Sequence, residues 1–185
     1  GLGNGLNGMV TALAVVGTTL YAAGEFTASG ATPLPHVARW NGSAWVAVGA
    51  GAPDNTYDLR LAVDGSSLLL LGGFTTVGAP PVAAQSIARW NGTSWSAVGS
   101  FGSSEHLNAA ARVGALLYVG GSTLYSWDGS TWSDDLGVGG DVGSLAALGT
   151  DLYICGDFSS VDFGNLPANG IARYDGSTFS TLADV

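Results

Sequence analysis

Trp90-Asn91-Gly92-Thr93-Ser94-Trp95 decides the fold of this chain, because its pattern occurs four times. The counterparts are Trp40-Asn41-Gly42-Ser43-Ala44-Trp45, Trp127-Asp128-Gly129-Ser130-Thr131-Trp132 and Tyr174-Asp175-Gly176-Ser177-Thr178-Phe179. Asn-Gly or Asp-Gly between apolar runs is the strongest short-range hairpin signal, since both residues tolerate a left-handed backbone. All six Trp residues fall in this one slot pair. The slot residues Trp40, Trp45, Trp90, Trp95, Trp127, Trp132, Tyr174 and Phe179 therefore read as a structural repeat.

Working outward, each hexad is preceded by an apolar run ending in Gly: Leu20-Tyr21-Ala22-Ala23-Gly24, Leu69-Leu70-Leu71-Gly72-Gly73, Leu117-Tyr118-Val119-Gly120-Gly121 and Leu152-Tyr153-Ile154-Cys155-Gly156. Before each of these lies another strand-like run closed by Gly17, Gly65, Gly114 or Gly149, which stand 48, 49 and 35 residues apart. That period is the length of a propeller blade. In the first unit the strands are expected at 10–16, 19–24, 37–40 and 44–48, with Gly17-Thr18 and Asn41-Gly42 as turns. Ala14, Ala62, Ala111 and Ala146 share one register in the first strand, where converging blades leave room only for small side chains. The fold expected is all-β: a β-propeller of four four-stranded blades near 8–50, 57–99, 106–137 and 141–185, forming a single domain. It closes as a four-blade ring or belongs to a larger propeller or assembly. Leu2-Gly3 stands before the first unit as Val48-Gly49 and Val98-Gly99 stand before the next two, like the tail of a preceding blade.

Composition agrees. The chain has 185 residues, 46% hydrophobic and 10% charged, which suits a globular core and excludes a disordered tail. Thirty Gly favour turns and strands over helices. The formal charge is −9, no Lys is present, and the cations are Arg39, Arg60, Arg89, Arg112 and Arg173. Such a surface repels phosphate backbones, so nucleic acid is not an expected partner. No run reaches the roughly 20 apolar residues of a spanning helix, so no membrane span is expected. Cys155 is the single cysteine and aligns with Ala23, Gly72 and Gly120, which predicts a small buried residue.

The units differ between their second and third strands. Residues 27–36, 75–86 and 159–170 read as long Gly/Pro/Ala/Ser loops, whereas the third unit passes almost directly from Gly121 to Leu124. In an up-and-down blade these loops share a face with the connections between blades. Glu25, Asp54, Asp58, Glu105, Asp134, Asp135, Asp141, Asp157 and Asp162, nine of the fourteen acids, map to that face or its rim. It is thus expected to be both variable and acidic.

The succession of Gly-ended second strand, Arg-Trp-Asn-Gly or Arg-Tyr-Asp-Gly, and final aromatic resembles the kelch-type repeat of galactose-oxidase-like propellers over essentially the whole chain. Two departures stand out: the first unit has Gly24 followed by Glu25 in place of a Gly pair, and the Asn-Gly turn is tighter than in typical kelch repeats. The resemblance implies a propeller and leaves function open, because kelch-like blades serve adhesion, scaffolding, partner capture and, in a few cases, oxidation. Galactose oxidase would imply copper held by Tyr and His with a Cys–Tyr cross-link. Only His36 and His106 are on offer here, and Cys155 sits in a strand. Ser126-Trp127-Asp128-Gly129-Ser130-Thr131-Trp132 also resembles the Asp-box of sialidase-like propellers, one residue short, and that box is a structural turn.

No spacing suggests a Ser-His-Asp triad, a zinc site or a phosphate loop, so the chain is not expected to be an enzyme. Asp157 with Asp162, or Glu25, could hold Ca²⁺ through oxygen ligands, but no regular Asp spacing supports this over a solvated rim. Arg39, Arg89 and Arg173 precede the third-strand aromatic and are expected to stack or to form ion pairs between blades. The Trp pairs are expected to pack between blades; open to solvent, they would be platforms for sugars. Asn41 and Asn91 lie in glycosylation sequons, yet Asp128 and Asp175 fill the same slot without one, so turn geometry explains all four.

The expected function is a non-catalytic recognition or assembly module of an extracellular or cell-surface protein, binding a protein or another copy of itself through the long-loop face. Glu25, His36, Asp54, Glu105, Asp157 and Asp162 are the candidate ligand-binding residues. The alternative is a propeller lectin that binds a surface glycan at several equivalent aromatic sites.

Overall fold

The computed structural model describes residues 1–53, 57–99, 101, 106–133 and 136–182, and all regular structure among them is β. The chain divides into two compact units, residues 1–105 and 106–185.

In the first unit, β1 (Val10–Val16), β2 (Thr19–Gly24), β5 (Val37–Trp40) and β6 (Trp45–Ala47) form an antiparallel meander, with β3 (Ala28–Ser29) and β4 (Thr32–Pro33) as a small ribbon between β2 and β5. The second meander repeats this with β7 (Tyr57–Asp64), β8 (Ser67–Gly73), β11 (Ile87–Trp90) and β12 (Trp95–Ala97), and with the ribbon β9 (Thr76–Val77) and β10 (Val82–Ala83). Leu68, Leu69, Leu70 and Leu71 are all buried, which explains why β8 reads as an unbroken apolar run and not as an alternation. Tyr21, Ala23 and Val37 of the first sheet pack against Leu68, Leu70, Ala88, Trp90 and Trp95 of the second.

In the second unit, β13 (Ala109–Val113), β14 (Leu116–Gly120), β15 (Leu124–Trp127) and β16 (Trp132–Ser133) form a meander without a ribbon. The fourth sheet comprises β17 (Gly140–Leu148), β18 (Asp151–Phe158), β21 (Ile171–Tyr174) and β22 (Phe179–Thr181), and carries the ribbon β19 (Ser160–Val161) and β20 (Leu166–Pro167). Tyr118 and Leu124 pack against Leu152, Ile154 and Ala172. Ala14, Ala62, Ala111 and Ala146 do share one register, opposite Tyr21, Leu69, Tyr118 and Tyr153.

The glycine that ends the second strand has a steric cause. The register of the first strand slips at Val10/Ala12 and at Val142/Ser144, bringing its backbone close to Gly24 and Gly156. A Cβ would lie 2.2 Å from the Met9 carbonyl oxygen at Gly24 and 2.0 Å from that of Asp141 at Gly156, so only glycine closes the bulge. At the next position Glu25 and Asp157 are exposed.

Residues 27–36, 75–86 and 159–170, expected to be irregular loops, are three copies of one anchored ribbon. Each starts from a buried phenylalanine, Phe26, Phe74 or Phe158. Leu34, Ala84 and Ala168 return to donate backbone N–H bonds to Thr27, Thr75 and Ser159 at 2.8, 3.0 and 2.9 Å. Val77 and Ala84 belong to the core of the first unit, and Val161 and Ala168 to that of the second. Replacing the whole 75–86 segment would therefore remove core; only the tips are expendable.

Cys155 departs from the expectation of burial and is exposed. Its neighbours Leu152 and Ile154 face the third sheet, so strand alternation turns Cys155 to the opposite face, where its register partner Ile171 is also 41% exposed.

Candidate functional site

The repeated hexad is a four-residue turn locked by its Asx side chain. Trp40 pairs in register with Trp45, and the Asn41 Oδ1 atom accepts from the N–H groups of Ser43 and Ala44 and from the Ser43 hydroxyl at 2.8–3.0 Å. Asn91 repeats this with Thr93 and Ser94. The two-residue Asn-Gly turn expected from sequence is thus replaced by an Asx turn, whose gain is three satisfied donors. The flanking rings meet across the hairpin: Trp40–Trp45 at 5.6 Å, Trp90–Trp95 at 5.3 Å, Trp127–Trp132 at 5.0 Å and Tyr174–Phe179 at 4.6 Å between centroids. Trp90 and Trp95 also enter the core between the first two sheets, while Trp40, Trp127 and Trp132 stay half-buried.

In the second unit, the carboxylates of Asp128 and Asp175 each accept two backbone and two hydroxyl bonds, which holds both acids well below the usual carboxylate range. A folded value below the unfolded one stabilises above about pH 4, and that contribution is lost as pH falls toward the folded value. Asp128→Asn/Asp175→Asn is expected to lose less melting temperature than the wild type on going from neutral to strongly acidic buffer. Equal losses would mean that these turns do not couple to folding.

Among the candidate ligand residues, Asp54 and Glu105 lie outside the described residues, as do Asp134 and Asp135. Glu25, Asp58, Asp141, Asp157 and Asp162 are exposed. Asp141 and Asp157 are brought together as register partners at the end of the fourth sheet. No group of three or more His, Cys, Asp or Glu gathers among the described residues. His36 is a backbone element: at φ 63° its N–H donates to Phe26 O, its carbonyl accepts from Gly24 N–H, and Nδ1 lies 3.1 Å from Gly24 O. Ser86 and Gly170 repeat that position and its backbone bonds in the second and fourth sheets. The slot calls for a left-handed residue that re-enters the sheet, and His, Ser and Gly all fill it.

Arg89 and Arg173 each pair within their own sheet. Arg89 of β11 forms an ion pair with Asp64, at the turn end of β7, and Arg173 of β21 donates through Nε to Asp151 of β18 at 2.7 Å. The register explains this: the third strand lies beside the second, so its arginine reaches the hairpin that joins the second strand to the first.

Sequence reading missed the anchors and what they present. The signal was Gly-x-Phe-Ser/Thr at 24–27, 72–75 and 156–159, visible once the units are aligned on the strand-two glycine. On these constant anchors sit divergent tips: Gly30-Ala31, Gly78-Ala79-Pro80-Pro81 and Asp162-Phe163-Gly164-Asn165. Phe163 is 64% exposed at φ 55°. The tip at 78–81 and the Trp90–Trp95 hairpin line a half-open pocket of about 260 Å³ in the first unit.

No family model and no curated protein matches the chain. Among solved structures it is similar to the computationally designed Ika4 protein, at 13% identity and a TM-score of 0.57, over 93% of this chain and 94% of that one. It is similar also to the computationally designed Ika8 protein, at 14% identity and a TM-score of 0.57 over 91% of this chain. That match covers 46% of Ika8, so the chain spans about half its length. These likenesses concern the fold: an all-β chain of four-stranded antiparallel sheets in a propeller-like blade pattern. No helix among the described residues is long and apolar enough to cross a membrane.

Proposed function

We propose that this chain is a non-catalytic recognition and assembly module of an extracellular or surface protein. Its four sheets are kelch-like blades, closed as a ring or forming part of a larger propeller. It binds a protein, or another copy of itself, through the ribbon tips. The supporting observation is the contrast between frame and tip. Three ribbons share a buried phenylalanine and the same backbone bonds, yet their tips differ in length, charge and aromaticity. A rigid frame that presents variable loops is the usual arrangement for binding. The Lys-free, acidic composition favours a partner surface that carries positive charge.

The test is a chain in which tips 30–31, 78–81 and 162–165 are each replaced by Asn-Gly. It is compared with the wild type by light scattering over a range of concentrations and on an array of extracellular proteins and glycans. The variant is expected to melt within a few degrees of the wild type and to lose the association or array binding that the wild type shows. A wild type that stays monomeric and binds nothing, or a variant that keeps all its binding, contradicts the proposal.

A further inference from the structure

Twice within this chain one sheet covers another, and both contacts use the same register positions. In the first sheet Ala14 lies opposite Tyr21 and Ala23 opposite Val37; in the third, Ala111 lies opposite Tyr118 and Gly120 opposite Leu124. Tyr21 and Val37 are buried in the core shared with the second sheet, and Tyr118 and Leu124 in the core shared with the fourth. The covering sheet answers with its other face, one residue out of step along each strand. That answering set is Leu61, Leu70 and Ala88 in the second sheet and Leu145, Ile154 and Ala172 in the fourth.

The fourth sheet carries the first set again, and there it meets solvent. Ala146 lies opposite Tyr153 and Cys155 opposite Ile171. Tyr153 stands where Tyr21 and Tyr118 are buried, yet is only half-buried, while Ala146 and Cys155 are exposed. Ile171 is 41% exposed, and Leu148 is 69% exposed at the strand end where Val16 and Val113 pack against their cores. The first sheet carries the answering set, open along β1. Leu13 lies opposite Ala22 as Leu61 lies opposite Leu70 and Leu145 opposite Ile154, but Leu13 is 62% exposed. Phe26 and Leu34 pack beside it, as Phe74 and Ala84 do at the occupied face of the second sheet.

The chain thus leaves open one face of each kind, and each is the kind that covers the other in the two contacts already made. We infer that the open face of the fourth sheet is a docking surface for the first sheet of a second copy of this chain, with Tyr153, Cys155 and Ile171 of one copy seated on β1 of the other. Arg173 does not oppose this. It lies opposite Tyr153 as Arg39 lies opposite Tyr21, and Arg39 stays exposed beside the contact made by the first sheet. The contact joins unlike faces, so it closes a ring of copies or continues as a stack. It rests on the blade reading of the sheets, assigns self-association to them and leaves the ribbon tips to a different partner.

The experiment measures the mass of the intact chain by light scattering from low to high micromolar concentration, where two or more copies per particle are expected at the upper end. Over the same range the rate at which maleimide labels Cys155 should fall about tenfold, following the free chain by mass action. Ile171→Glu and Leu13→Glu, both at exposed positions, should each leave a monomer with the circular dichroism of the wild type, because docking would bury an unpaired charge. An equimolar mixture of the two should associate again, since the intact first sheet of one accepts the intact fourth sheet of the other. Replacing the tips at 30–31, 78–81 and 162–165 should leave the association in place. Four results overturn the inference: a monomeric wild type whose Cys155 labelling ignores concentration, association that persists in either Glu variant, a mixture no more associated than its parts, or association lost with the tips. A monomeric wild type that still binds the array through its tips would leave the recognition reading standing by itself.

Discussion

Phe74→Ala is expected to lower the stability of the first unit by about 3–5 kcal/mol, the cost of emptying a fully packed aromatic site. Phe74 is 3% exposed and its carbonyl accepts from Ser86 N–H, so it ties the ribbon to the entry of β11 while its ring fills the core beside Val77 and Ala84. Urea denaturation followed by the fluorescence of nearby Trp90 and Trp95 measures the loss. The control is Pro81→Ala at the exposed tip, where a change within about 0.5 kcal/mol is expected. A Phe74→Ala loss below about 1 kcal/mol would mean that 75–86 is a free loop and that the ribbon is not part of the core.

The second large effect separates two arginines that sequence treats as equivalent. Arg89→Met should cost about 3 kcal/mol, because the side chain of Asp64 is only 2% exposed and is left as a buried carboxylate without its guanidinium. Arg173→Met, in the same slot, should cost far less, since that pair is 36% and 20% exposed and water screens it. Adding Asp64→Asn to Arg89→Met should recover most of the loss by removing the buried charge that faced the guanidinium. Equal effects of the two Met variants, or no recovery in the double variant, would contradict the burial argument. The comparison is a denaturation series at neutral pH.

The elements that sequence reveals are those with local causes. Asn-Gly and Asp-Gly hairpins, strand-ending glycines and two-residue alternation are encoded within a few positions, so β1, β2 and β5 fall at 10–16, 19–24 and 37–40 as expected, and the fourth strand is shortened to Trp45–Ala47. The ribbons escape that reading, because strands of two residues set among Gly, Pro and Ala have the composition of loops; what makes them strands is Phe26, Phe74 or Phe158 anchored from below. Pairing of Arg89 with Asp64 depends on register between β11, β8 and β7, which no local pattern carries. The exposure of Cys155 depends on which sheet face finds a neighbour. The segment between the second and third strands was legible as a candidate location; the left-handed backbone of His36 and the meeting of the 78–81 tip with the Trp90–Trp95 hairpin depend on register in three dimensions and have no local signal.

The central claim is a constant, anchored ribbon that carries a divergent tip, and residue-resolved amide hydrogen exchange of the intact chain tests it most directly. The account predicts that the amides of Leu34, Ala84 and Ala168, and those of His36, Ser86 and Gly170, are protected nearly as well as the central strands, because each donates to a backbone carbonyl at 2.8–3.2 Å. The tip amides of Ala31 and Ala79 should exchange rapidly. Fast exchange along all three segments, from anchor to anchor, would contradict it.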